Sequence, residues 1–223
     1  MKFFPVLMLL AVSLHCGQTV SGLYKPKPTS DAKKSIAKHV ILGNIQDRRS
    51  GNNESYTALA LIPLIPFGTA TSQKPDELTR DVATPIKFYI LSAIRAEFEN
   101  VYEFASLKIS ESEPVKFDFR LSGTLNKYEC RKRLYLYGLT FLGAYLWLLG
   151  PPAYTLTCEI DVTFQLTDAT KRILHEKTYT HSDTEFIGIY YNDMSPDHMQ
   201  NPKIIQKVLL DMLSDVKGKI DGK

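Results

Sequence analysis

The residues able to do chemistry are few and loosely spaced. His175 and His181 stand six apart, with Glu176, Asp183 and Glu185 close by. Two imidazoles and a carboxylate can ligate a transition metal, but this spacing matches none of the patterns that build zinc sites. On a polar strand they read as surface histidines, so no metal ligand is assigned. Glu159 and Asp161 are two residues apart, which on a strand puts both carboxylates on one face about 7 Å apart. That is formally an acid–base pair. Flanked by Thr157 and Thr163, the face reads instead as solvated. There is no glycine-rich phosphate loop, no Gly-x-Ser-x-Gly and no His-Glu-x-x-His. No catalytic residue and no cofactor is expected, and the chain reads as not an enzyme.

Cysteine carries more information. Residues 1–15 combine Lys2 with an uncharged run from Phe3 to Leu14, the layout of a signal peptide. The run is too short to span a bilayer, which takes about twenty residues. Cys16 follows at once, in Ser13-Leu14-His15-Cys16-Gly17. This resembles the lipobox of bacterial lipoproteins, whose cysteine is acylated and becomes the first mature residue. Ser13 and His15 occupy places where Leu and a small residue are usual; spirochaete lipoboxes are looser, and the resemblance points to such a source. The alternative is an ordinary secretory peptide cut after Val20-Ser21-Gly22.

Export leaves Cys130 and Cys158 as the two thiols of the body, a pair that an oxidising compartment can join. Alternation puts odd positions inward along Val115, Phe117, Phe119 and Leu121, and even positions inward along Tyr154 to Val162. Cys130 then faces away from Cys158 unless a bulge near Asn126 or Lys127 shifts the register. The expectation is two unpaired thiols, with the disulfide as the reading to test.

The elements that must position these residues follow from composition and period. With 44% hydrophobic and 23% charged residues, 223 residues make an ordinary globular chain with one real core. A net charge of +3 gives no footprint for nucleic acid. Residues 16–38 are rich in Lys, Pro and Ser and read as a lipidated tether; residues 39–218 form the folded module. Val40 to Ile45 suit a first strand. Thr84 and Pro85 open a helix burying Ile86, Tyr89, Ile90, Ala93, Ile94 and Phe98. Strands are expected at 104–109 and 115–128. Tyr154 to Leu166 alternates most cleanly, and Ile173 to Thr180 returns beside it across "TDATKR". Asn201-Pro202 opens a last helix burying Ile204, Ile205, Val208, Leu209, Met212 and Val216. The fold class is α+β: an antiparallel or mixed sheet with two amphipathic helices packed on one face, in a single domain.

Two apolar insertions, at 58–70 and 134–152, interrupt that module. Leu134 to Leu149 is sixteen residues without a formal charge. As a helix it would rise about 24 Å, short of the roughly 30 Å hydrocarbon core, and Gly150-Pro151-Pro152 ends it. A span is the weakest reading. Either the segment is buried cover for the sheet, or it joins "LIPLIPFG" in one exposed apolar apron beside Arg131, Lys132 and Arg133. In the second case Ile62, Ile65, Phe67, Tyr137, Phe141, Tyr145, Leu146 and Trp147 would touch a membrane or partner, since aromatics and cations suit a lipid interface.

"FRLSGTL", the hairpin "CEIDVTFQLTDATKRILHEKTY" and the closing helix resemble the α/β module shared by the amino-terminal domain of TolB, the curli secretion lipoprotein CsgG and the penicillin-binding-protein activator LpoB. In that group the hairpin turn carries Asp and Thr-Gly; Asp168 and Thr170 match, and Lys171 holds the glycine's place. "LIPLIPFG" with "YGLTFLGAYLWLLGPP" is also similar to a pair of runs in uncharacterised lipoproteins. The resemblance implies a cell-envelope protein, anchored by lipid to the outer membrane and docking to an envelope partner in assembly, transport or scaffolding. A surface adhesin binding host or extracellular ligands is the alternative.

Overall fold

A computed structural model describes residues 24, 26, 33–50, 53–72, 86–110, 116–191 and 202–221. The chain forms strand β1 (Lys34–Asp47), β2 (Glu54–Tyr56), β3 (Phe67–Ser72), helix α1 (Ile86–Val101), β4 (Tyr102–Ile109), β5 (Phe119–Tyr135), β6 (Tyr154–Asp168), β7 (Ile173–Ile187) and helix α2 (Pro202–Ile220). Two 3-10 segments, Thr57–Leu61 and Thr140–Leu149, lie in the apolar insertions. All seven strands belong to one mixed sheet. β1 runs parallel to β4 and to the first part of β5, while β5, β6 and β7 are antiparallel. The α+β expectation holds, with α1 and α2 packed against each other and against the sheet.

The helices form where the periodicity placed them. All six stripe residues of α1 are buried, as are the six of α2. Lys217 and Lys219 fall in the last turn of α2, where cations favour the carbonyl end of the dipole. Thr84, Pro85 and Asn201, assigned to the helix starts, lie outside the described residues, but Pro202 is the first residue of α2. β6 alternates as read: Leu156, Cys158, Ile160, Val162, Phe164 and Leu166 are buried against the helices. The opposite face of the sheet stays polar, with Thr157 against Thr184 and Thr163 against Thr178 across the β6–β7 pair.

Four sequence readings are corrected. The tether does not reach residue 38: β1 begins at Lys34, paired to Tyr102, and the buried Tyr24 packs edge-on against Tyr89 and donates to the Glu97 carboxylate. A strand can start in polar residues when its partner supplies the hydrogen bonds, so "KSIAKH" carries no hydrophobic mark. The module likewise runs past residue 218, because α2 continues to Ile220. β5 does not stop near Tyr128; it continues through "ECRKRLY" to Tyr135.

The fourth correction concerns the thiols. Leu125 pairs with Val162, but Lys127 pairs with Asp161, so Asn126 is an extra residue. This bulge turns the inward set from odd (Leu121, Leu125) to even (Tyr128, Cys130). Cys130 then faces Cys158 directly, with 4.1 Å between Cα atoms, and the two form a disulfide. The unpaired-thiol expectation fails because a bulge leaves no signature in residue type.

Candidate docking surface

β5 outruns β1. Its pairing with β1 ends at Leu125, and from Cys130 onward β3 takes that side, with Ser72 opposite Cys130 and Phe67 opposite Tyr135. This far end of the sheet carries both insertions, and they dock on each other through the backbone. The N–H of Leu64 donates to Gly138 O at 3.0 Å, and those of Leu136 and Tyr137 to Pro66 O at 3.1 and 2.8 Å. Positive φ at Leu64, Tyr137, Gly138 and Thr140 turns the chain tightly enough to allow it. Gly143 is needed: a Cβ there would sit 1.8 Å from Leu136 O.

The side chains then divide. Leu136 and Gly143 are buried, and Trp147 is half-buried against the core, its indole N–H donating to Tyr135 O at 2.8 Å. Tyr137 donates its hydroxyl to Pro152 O at 2.5 Å. The remainder faces outward: Leu64 is 90% exposed, Leu149 78%, Phe141 70% and Tyr145 68%. Leu59, Leu61, Ile62, Leu139, Leu142 and Leu148 are exposed beside them. Tyr56, just before the Thr57–Leu61 segment, is exposed as well, while Phe88, Ile109, Ile173 and Leu210 are exposed singly over the body. A monomer rarely concentrates so much apolar surface at one end without a use for it.

A third segment joins this tip. Tyr190 and Tyr191 donate their hydroxyls to Leu148 O and Gly150 O at 2.7 and 3.1 Å, and Gly188 bridges to Tyr191. Phe186, Ile189 and Tyr190 are exposed. Nothing in "FIGIYY" alone announced this. Its place follows from register, because β6 sets Ile187 opposite Tyr154 and Tyr154 opposite Leu134.

Of the contact residues expected from sequence, Ile62, Phe141, Tyr145, Arg131 and Arg133 are exposed, and Ile65, Phe67, Tyr137, Leu146, Trp147 and Lys132 are half-buried. The segment is therefore neither core cover nor a free apron but a tip with a packed underside. The cations lie behind it. Arg133 sits over the Phe67 ring at 5.5 Å and Lys132 over the Tyr154 ring at 4.0 Å, with burial lowering the lysine's pKa. Arg131 reaches Glu129 at 3.3 Å. Cys16 lies outside the described residues. No helix among the described residues is long and apolar enough to cross a membrane.

The other candidate groups are engaged structurally. Glu159 holds Lys127 at 2.5 Å, and Asp161 accepts from the Asn126 amide at 2.9 Å. His175 meets the Tyr179 hydroxyl and His181 meets Asp211. No group of three or more metal-ligating side chains gathers among the described residues. The Asp168 carboxylate accepts from the Thr170 and Arg172 N–H groups and the Thr170 hydroxyl, which holds its pKa down. Lys171 beside it has φ 63°, the left-handed conformation that explains why glycine suits this turn.

No family model matches the chain, and no curated protein matches it. Among solved structures, it is similar to a protein described as a candidate lipoprotein from Caulobacter crescentus CB15. The identity is 13%, over 50% of this chain and 74% of that one, with a TM-score of 0.30. A likeness that small leaves function to be argued from the surface itself.

Proposed function

We propose that the protein is a non-catalytic, lipid-anchored module of the bacterial cell envelope that docks through its apolar tip to another envelope component at the outer membrane, in assembly, transport or scaffolding. One observation carries the reading: three uncharged loops from distant parts of the chain are cross-bonded into one exposed surface at the end of the sheet. Holding them there takes glycines, positive-φ residues and tyrosine–carbonyl bonds, an investment that solvent-facing loops do not need. The Cys16 context and the likeness to the TolB, CsgG and LpoB modules support the compartment.

The test has two arms. Wild type should take up labelled palmitate and Cys16→Ala should not. A photo-crosslinking residue at Leu64 should capture an envelope component in intact cells, while one at exposed Ile173, outside the tip, should not. Label incorporation into Cys16→Ala would remove the anchor; equal capture from both positions would remove the docking surface. Digestion of the module by protease on intact cells, with capture of an extracellular ligand, would favour the adhesin instead.

A further inference from the structure

We infer that the tip's partner is the surface of an anionic phospholipid bilayer, into which its apolar side chains sink while Arg131 and Arg133 meet the phosphates. This deepens the docking reading and rests on it. Three features select lipid over a protein groove or a second copy.

The first is the state of the backbone. Burial in hydrocarbon is tolerable only where N–H and C=O groups are satisfied internally. At the tip the N–H groups of Leu64, Ile65, Leu139, Leu142 and Gly150 all find carbonyls within the loops, at 3.0 to 3.2 Å. A protein partner could supply such bonds; a bilayer cannot.

The second is depth. Arg133 and Arg131 lie two and four residues back from Tyr135, about 7 and 13 Å at the strand rise. Amphipathic surfaces settle about 5–10 Å into the headgroup boundary. Both exposed guanidiniums therefore stand on the strand that leads into the tip, next to its apolar surface, where attraction to anionic lipid acts. Of the acidic groups near them, Glu129 is half-buried and already holds Arg131 and Lys127, and exposed Glu54 stands two strands away, across Thr71 from Arg131.

The third is composition. The exposed set mixes leucines with Phe141, Tyr145 and Tyr190, and Trp147 is half-buried beside it, a mixture of aliphatic and amphipathic aromatic side chains that suits a membrane–water interface.

The experiment uses the processed chain beginning at residue 16 with Cys16→Ala, so that neither leader nor acyl group contributes; every described residue is retained. Trp147 is the only tryptophan in the sequence, so its emission reports on the tip alone. With phosphatidylcholine vesicles containing phosphatidylglycerol, the protein should float with the lipid and Trp147 emission should shift to the blue. Phosphatidylcholine alone should bind it more weakly. Phe141→Asp with Leu149→Asp should cost about a hundredfold in vesicle affinity, and Arg131→Gln with Arg133→Gln should abolish the preference for anionic lipid.

Failure to float with either vesicle, or equal binding by the double aspartate variant, overturns the inference. So does a concentration-dependent dimer that the same variant abolishes, which would give the tip to a second copy. Capture of an envelope protein from Leu64 without any vesicle binding would sink the lipid partner and leave the docking reading standing.

Discussion

Cys130 and Cys158 are bonded directly across β5 and β6, 28 residues apart in sequence, and they meet only because Asn126 is an extra residue in β5. The bond joins the two central strands at the point where β1 leaves β5 and β3 takes over. Closing a loop of that length restricts the unfolded chain by about 3.5 kcal/mol in the chain-entropy account. Cys130→Ala with Cys158→Ala should therefore lower the thermal midpoint by roughly 10 °C, followed by circular dichroism. Dithiothreitol should reproduce the loss in wild type and do nothing to the double variant. An unchanged midpoint in the double variant would mean the bridge contributes nothing to stability.

The β7–α2 interface is a ladder whose two periods match. Lys203, Lys207, Asp211 and Asp215 recur every four residues on α2, about 6 Å per step, against Glu185, Asp183, His181 and Tyr179, which recur every two residues on β7, about 7 Å per step. Lys177 and the Tyr179 hydroxyl both bond the Asp215 carboxylate, at 2.7 and 2.9 Å, and hold its pKa below the ordinary value. A carboxyl depressed in the folded state stabilises above its unfolded pKa of about 3.9 and loses that contribution as pH falls through the folded value. Asp215→Asn should thus lower urea stability at neutral pH and flatten its decline below about pH 4. A variant whose acid limb overlays wild type would show that this carboxylate is not a source of the acid sensitivity.

Gly143 and Lys171 should respond in opposite directions to substitution. Gly143→Ala drives a Cβ into Leu136 O and should cost about 1–3 kcal/mol, with Trp147 emission moving to the red as the underside of the tip loosens. Lys171→Gly relieves a left-handed residue, worth about 1 kcal/mol, and returns part of it through a freer unfolded chain. A net gain of about 0.5 kcal/mol is expected from urea melts. Loss of stability in Lys171→Gly would show that the turn carries no strain.

Much of the fold was legible because burial writes a period into sequence. α1 and α2 showed stripes, and β6 alternated over its whole length since one face meets helices and the other water. What stayed hidden was structure that hydrogen bonding creates without burying side chains. The first residues of β1 are mostly exposed, so "KSIAKH" looked like tether. The extension of β5 carries Arg131, Lys132 and Arg133, which looked like the flank of an insertion rather than a strand paired on both sides. The tip itself was half legible. Two charge-free runs marked its loops, but that they touch, and that 186–191 joins them, is a consequence of register alone.

The division of the tip into packed and projecting residues decides which substitutions can test it. Leu146 and Trp147 were natural choices from sequence, yet both are half-buried and Trp147 is tied to Tyr135 O. Removing that indole should cost about 3 kcal/mol, because a packed ring leaves a cavity and the Tyr135 carbonyl loses its donor. Leu64 and Leu149 project into solvent instead, and surface changes of that kind usually stay within about 0.5 kcal/mol. Leu64→Ser with Leu149→Ser should keep the thermal midpoint of wild type while cutting vesicle binding. Trp147→Ser should lower the midpoint first and binding only as a consequence. If the serine pair unfolds the protein and Trp147→Ser does not, the packed and projecting sets have been exchanged, and the docking surface must be sought on the other side of the insertion.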